Sequence, residues 1–229
     1  MKNILLVDDD KDLSQSLANL FDPDKFNFDF LDDGLEVGEY VRAHDNVDLV
    51  MLDVNLPSLS GLDVLKQIKQ IRNELPVIVI SGFVSTENAI EAMREGAFEY
   101  LTKPFEIQKL IDMVNKACGY SARPRPVVAV PSAHGDHEVG EIMGQSPEIV
   151  EIAKLIGQVA KTDAAVLIFG ESGTGKELVA RAIHRNSNRR SNSFLSVNKY
   201  SSLSCGEMFF LFSEKNSFSP TLVYCKAFT

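Results

Sequence analysis

Tryptophan is missing from the 229 residues, cysteine occurs three times and histidine four times. Cys118, Cys205 and Cys225 are widely spaced, odd in number and form no CxxC pair. That excludes a disulfide framework or a paired-thiol zinc site and leaves ordinary reduced thiols. Of the histidines, His134 and His137 alone lie close together, in a Pro, Gly and Ala-rich stretch that reads as solvated loop. No apolar run approaches the roughly 18 residues that a membrane helix needs, and Ile4–Val7 is too short for a signal peptide. The chain is expected in the cytoplasm, off the membrane. An excess of positive charge is also lacking. The net charge is −9, with 11 Lys+Arg against 22 Asp+Glu through Gly119 and 12 against 10 beyond it. A basic nucleic-acid face is not evident, Arg185, Arg189 and Arg190 read as a solvated helix end and loop, and no dedicated DNA-binding domain is visible.

Hydrophobic content of 45% and charged content of 24% are ordinary for a globular protein, and the length suits one full domain and most of a second. From residue 3 to about 118, short β-rich runs alternate with helix-period segments, which is the pattern of a parallel α/β domain. The expected strands are Asn3–Val7, Phe26–Leu31, Val47–Leu52, Val77–Ile80 and Phe98–Leu101. The third and fourth are nearly continuous hydrophobic runs, as buried central strands require. Leu13/Leu17/Leu20, Leu62/Leu65/Ile68 and Ile107/Leu110/Ile111/Val114 recur at helical spacing and are expected in the core.

In such a sheet the loops at the carboxyl ends of the strands surround the ligand crevice. Those positions hold Asp8, Asp9 and Asp10 after the first strand, Asp53 after the third, Ser81 after the fourth and Lys103-Pro104 after the fifth. Converging carboxylates repel one another unless a cation sits among them, and hard oxygen ligands suit Mg²⁺. With charge absorbed by metal and lysine, an Asp carboxylate can attack a phosphoryl donor, the Lys103 ammonium and the Ser81 hydroxyl serving the phosphoryl oxygens. Taken singly, an Asp run after a strand is often a helix N-cap and Lys103-Pro104 an exposed turn. Four strand ends carrying these residues in this order favour the site.

The segments ILLVDDD, LDVNLPSLSGLDVL, VIVISG and YLTKPF resemble the response-regulator receiver family over essentially residues 2–119. The resemblance implies a flavodoxin-like (βα)5 fold over 1–119, with Asp53 as phosphoacceptor and a self-catalysed aspartyl phosphorylation. It implies Asp8 and Asp9 as the acidic pair, Asp9 as the more direct Mg²⁺ ligand, and Asn55 as a further ligand through its carbonyl. Asp10 is left able to exchange roles with its neighbours. Ser81 takes the switch-hydroxyl position, Tyr100 the rotating aromatic position, and Lys103-Pro104 a commonly cis peptide bond. A sensor histidine kinase is the implied partner.

Residues 120–140 concentrate Pro, Gly, Ala and Ser without periodicity and read as a linker. Ser146-Pro147 then suits the cap and first position of a helix with the apolar face Ile149, Ile152, Leu155, Ile156 and Val159, followed by a strand at Ala165–Phe169. Directly after that strand, Gly170, Glu171, Ser172, Gly173, Thr174, Gly175 and Lys176 fit GxxxxGK, whose backbone N–H groups cradle phosphates while the lysine reaches the terminal ones. Glu177 stands where Ser or Thr would contact Mg²⁺. The stretch beginning IMGQSPEIVEIAKLIG closely resembles the opening of the AAA+ ATPase domain of NtrC-like, sigma-54-dependent activators, in which this Glu is usual. That implies an incomplete P-loop AAA+ α/β domain over 141–198, ATP as ligand and the sigma-54 RNA polymerase holoenzyme as target.

Beyond Asn198 the sequence has no GAFTGA loop, no hydrophobic strand ending in Asp-Glu, no finger arginine in a fitting context and no helix-turn-helix. Residues 199–229 are expected to be an atypical tail, of the kind a frameshifted or prematurely ended gene gives, and ATP hydrolysis is not expected of the incomplete machinery. Two functions stand side by side: a truncated activator-family regulator, or a stand-alone phosphorylation-dependent binding switch with a vestigial ATPase segment. Self-association through the receiver or linker is a further expectation, with no heptad behind it.

Overall fold

The computed structural model describes residues 1–119, 142, 144, 146–164, 166–171, 173–192 and 194, and the backbone of 223–226. The expected linker, His134, His137, Cys205 and Ser172 lie outside the described residues. The chain divides into two units, Met1–Val127 and Val128–Thr229.

In the first unit strands and helices alternate: β1 Lys2–Val7, α1 Lys11–Ala18, β2 Phe26–Leu31, α2 Gly34–Ala43, β3 Val47–Asp53, α3 Gly61–Ile71, β4 Val77–Ser81, α4 Thr86–Arg94, β5 Glu99–Thr102 and α5 Ile107–Cys118. The sheet is parallel throughout, in the order β2-β1-β3-β4-β5. The order reverses beside β1, which opens a crevice at the carboxyl ends of β1 and β3. The central strands are apolar on both faces because both are covered. Ile4, Leu6, Leu49, Met51, Ile78 and Ile80 form one core layer with Leu17 of α1 and Leu110 and Val114 of α5. Leu5, Val50, Leu52 and Val79, one residue out of phase, are fully buried on the opposite face. Each such side chain contributes about 1.5–3 kcal/mol of transfer free energy.

Helix starts are fixed by short polar side chains. Asp10, Asp33, Ser60 and Ser85 accept from the N–H groups of Leu13, Leu35, Leu62 and Asn88. Two expected core residues are corrected. The α1 helix stops at Ala18, which leaves Leu20 in a turn and 37% exposed, and Ile107, the first residue of α5, is 53% exposed, its stripe becoming buried from Leu110 onward. Asp53 and Ser81 are the last residues of their strands, and β5 begins one residue later than expected. Cys118 is a free thiol that burial pushes up to about 11, in keeping with an unreactive reduced cysteine.

The second unit contains α6 Pro147–Ala160, β6 Val166–Phe169, α7 Lys176–Asn186 and β7 Val223–Lys226. Ser146 caps α6 through the Ile149 N–H with Pro147 in the first turn, as expected. Of the expected apolar face Ile156 is buried and Ile149, Ile152 and Val159 are half-buried, with Val150, Ala153, Gly157 and Ala160 also turned inward; Leu155 is corrected, being 58% exposed. Small residues at 153, 157 and 160 allow a close approach on the buried side. β6 pairs in parallel with β7, Val166 opposite Val223 and Phe169 opposite Lys226, so the segment expected to be an atypical tail supplies a strand. No helix among the described residues is long and apolar enough to cross a membrane.

Candidate functional site

Parallel register brings the strand ends together: Val7 stands opposite Leu52, Asp53 opposite Ile80, and Ser81 opposite Thr102. The next residue after β1 is therefore Asp8, and the next after β5 is Lys103. Asp8 and Asp53 are each 5% exposed. The Lys103 ammonium donates to Asp8 Oδ2 at 2.8 Å and, through a still shorter bond, to Asp53 Oδ2. Burial works to lower the Lys103 pKa, but bonds to the Asp53 and Asp8 carboxylates outweigh it and hold the ammonium above its ordinary value. Burial pushes the Asp8 carboxyl up, against the bonds from Lys103 and the Asp10 N–H.

The remaining oxygen of Asp53, Oδ1, accepts the Asn55 N–H at 2.7 Å. The chain after β3 then turns sharply, the Gly61 N–H reaching the Val54 carbonyl at 2.9 Å. A Cβ on Gly61 would stand 2.0 Å from the Asp53 carbonyl oxygen and 2.8 Å from Val54 Cα. Gly61 therefore belongs to the architecture that holds Asp53, which sequence reasoning missed; the Ser60-Gly61 step at the start of a helix was the available signal.

Asp9 and Asp10 separate in role. Asp10 is the N-cap of α1, its carboxylate accepting the Leu13 N–H at 2.9 Å, so it does not exchange places with its neighbours. Asp9 is exposed and lines, with Asn55, an open cavity beside Asp53. Among the described residues no group of three or more His, Cys, Asp and Glu side chains is gathered as a metal site. Asp8 and Asp53 meet on the Lys103 ammonium instead. The donors on hand are all oxygens, two of them on buried carboxylates that already share a cation, which is the chemistry a hard divalent ion takes.

Ser81 is fully buried, and its hydroxyl donates to the Phe83 carbonyl at 2.8 Å rather than toward Asp53. The Tyr100 ring is also fully buried, its hydroxyl 3.5 Å from the same carbonyl. The Phe83 carbonyl thus gathers both expected switch residues, while the Phe83 side chain is 65% exposed. The Lys103-Pro104 peptide bond is cis.

In the second unit the loop from β6 to α7 turns on Gly173 and Gly175, at φ of 81° and 82°, a region that residues with a Cβ rarely adopt. The Thr174 hydroxyl donates to the Glu171 carbonyl at 2.8 Å. The Lys176 side chain folds back onto this loop, donating to the Gly170 carbonyl at 3.0 Å and to the Glu171 carbonyl, and is 6% exposed. Glu177 forms an exposed pair with Arg181 at 2.6 Å. Gly170, Glu171, Gly173, Thr174, Gly175 and Lys176 thus come together at the start of α7, where helix N–H groups and positive dipole favour an anion.

Residues 4–115 match the response regulator receiver domain and residues 142–214 the sigma-54 interaction domain, the second match continuing past Asn198. The regulatory protein AtoC of Escherichia coli (strain K12) is 34% identical over 199 residues, 86% of this chain and 43% of that protein. The DNA-binding transcriptional regulator NtrC of Azospirillum brasilense is 41% identical over 152 residues, 66% of this chain and 31% of that protein. A receiver domain structure from Clostridium thermocellum is 34% identical, covering 52% of this chain and 95% of that one with a TM-score of 0.49. The chain spans less than half the length of these curated relatives. A receiver fold built around Asp53, followed on the same chain by a sigma-54 interaction segment and its glycine-rich loop, is the order of the NtrC-like response regulators, the family to which this chain belongs.

Proposed function

We propose that the chain is a phosphoryl-operated switch in a two-component relay, with Asp53 as acceptor and Lys103 and Ser81 completing the catalytic set. The observation that carries this reading is the buried Asp53 carboxylate, held by Lys103 on one oxygen and by the Asn55 N–H on the other. Fixing both oxygens presents the carboxylate to a phosphorus atom arriving from the open side of the crevice, and positioning is most of what phosphoryl transfer requires. The carboxylates of Asp8, Asp9 and Asp53 and the carbonyl of Asn55 would hold Mg²⁺, which supplies charge neutralisation at the phosphoryl oxygens. Lys103 adds a second positive charge. Ser81 leaves the Phe83 carbonyl to donate to a phosphoryl oxygen, and Tyr100, bonded to the same carbonyl, follows the change. A phosphoryl group adds about −1.5 to −2 of charge, enough to redirect both hydroxyls and the exposed Phe83 beside α4. The donor expected in the cell is the phosphohistidine of a sensor histidine kinase.

For the second unit the supported reading is ATP binding at Gly170–Glu177, with Lys176 moving from the loop carbonyls onto the phosphates. In this family the nucleotide unit acts on the sigma-54 RNA polymerase holoenzyme, and that target is proposed by membership alone. The competing reading, a phosphorylation-dependent binding switch with a vestigial ATPase segment, predicts a chain that accepts phosphate but binds no nucleotide. Incubation with a small phosphodonor and Mg²⁺ should label the wild-type chain and not Asp53→Ala; equal labelling of the two would remove Asp53 as acceptor.

A further inference from the structure

An open cavity of about 520 Å³ lies beside Asp53, between the chain that follows β3 and the first turn of α4. That volume is within the range of small-molecule sites and well beyond the needs of a phosphoryl group alone. Asp9, Asn55 and Asn88 form part of its polar wall, and Leu56, Pro57 and Leu59 part of its apolar wall. Val54 and Asn55, which line the cavity, directly follow Asp53 in the chain, and the Asn55 N–H donates to Asp53 Oδ1.

Asn88 comes from α4, outside the strand ends that carry the acidic site. Its N–H is fixed by the Ser85 cap at 3.2 Å, which anchors the residue, while its half-buried carboxamide makes no hydrogen bond among the described residues. A carboxamide carries two donors and an acceptor, and here they border a cavity whose opposite wall is formed by the residues that directly follow Asp53.

We infer that Asn88 is a positioning residue for the leaving group of the phosphodonor and favours acyl phosphates, whose carbonyl accepts an Asn88 N–H. The inference rests on Asp53 as phosphoacceptor. In the step, an Asp53 oxygen forms the new bond to phosphorus as the bond from phosphorus to the acyl oxygen breaks. The electron pair leaves with the carboxylate, and no proton is transferred. Phosphoramidate delivers the same phosphoryl group with loss of ammonia, its nitrogen already protonated, and offers no acyl carbonyl. One hydrogen bond made to the leaving group alters the rate by about five-fold.

The test compares initial rates of phosphorylation of the full chain in Mg²⁺ with acetyl phosphate and with phosphoramidate, read on phosphate-affinity gels. Asn88→Ala is expected to slow labelling by acetyl phosphate about five-fold more than labelling by phosphoramidate. Asn88→Ser, which keeps a donor, should recover most of that difference. A purely structural role slows both donors equally, so equal slowing in both variants, or no slowing in either, overturns the inference while leaving Asp53 as acceptor. No labelling of the wild-type chain by either donor overturns the Asp53 reading and this inference together.

Discussion

Lys103 Nζ lies 2.8 Å from Asp8 Oδ2 while it also holds Asp53, so one ammonium bridges two carboxylates that are each 5% exposed. Removing it leaves two like charges facing each other in a poorly solvated crevice. Lys103→Gln is expected to cost about 2–4 kcal/mol, below the full figure for a buried pair because the lysine is partly exposed. The shift in urea midpoint measures this. Added Mg²⁺ should raise the midpoint of the variant more than that of the wild type, since a divalent cation replaces the missing charge; equal effects would argue against the shared-cation picture.

Gly61 stands against the Asp53 backbone with no room for a methyl group. Gly61→Ala is expected to destabilise the first unit by about 3 kcal/mol and to impair phosphoryl acceptance, because the new Cβ displaces the Asp53 carbonyl. Gly82→Ala is the control: nothing lies within 4 Å of its Cβ position, and its effect on stability should stay within about 0.5 kcal/mol.

Tyr40 supplies a pH marker. Burial, with the hydrogen bond to Asp29 at 2.7 Å, pushes its phenol up to about 12 from the ordinary value of 10.0. A raised pKa means that the neutral phenol is favoured in the folded state. Its contribution is fully present below pH 10 and lost as the pH rises through about 12. The absence of tryptophan leaves tyrosinate absorbance unobscured. The difference titration between wild type and Tyr40→Phe should show a phenol ionising near 12, and one ionising at the ordinary value would refute the bond to Asp29.

The phosphate loop depends on the left-handed backbone of Gly175 at φ 82° and on Lys176. Gly175→Ala imposes about 1–2 kcal/mol of local strain, and Lys176→Ala removes the cation meant for the phosphates. Both should weaken binding of a fluorescent ATP analogue to the full chain, Lys176→Ala by at least about ten-fold. Unchanged binding in both would place any nucleotide elsewhere.

The first unit was legible because its central strands are nearly continuous apolar runs and the chain turns polar at the carboxyl ends of β1, β3, β4 and β5, so Asp8, Asp53, Ser81 and Lys103 could be placed at one rim from spacing alone. The α6 face was only partly legible: Ile156 is buried and Ile149, Ile152 and Val159 half-buried as the 3.6-residue period implies, but the buried side is centred on Val150, Ala153, Gly157 and Ala160, small residues that weigh little in an apolar pattern, and Leu155 lies outside it. Asn88 and Gly61 escaped because neither sits at a strand end; one matters for its place on a helix turn and the other for the side chain it lacks. The partnership of Ser81 and Tyr100 at the Phe83 carbonyl is a main-chain contact, to which side-chain patterning is blind. The β7 strand formed in a segment without clear period because β6 offers an edge to pair with.

The most direct test of the phosphoryl switch is peptide mapping of the full chain after exposure to acetyl phosphate and Mg²⁺. One added phosphoryl group on the peptide containing Asp53, absent in Asp53→Ala and in samples without Mg²⁺, is the expected result. A phosphoryl group on any other residue, or on the Asp53→Ala chain at wild-type level, would contradict it.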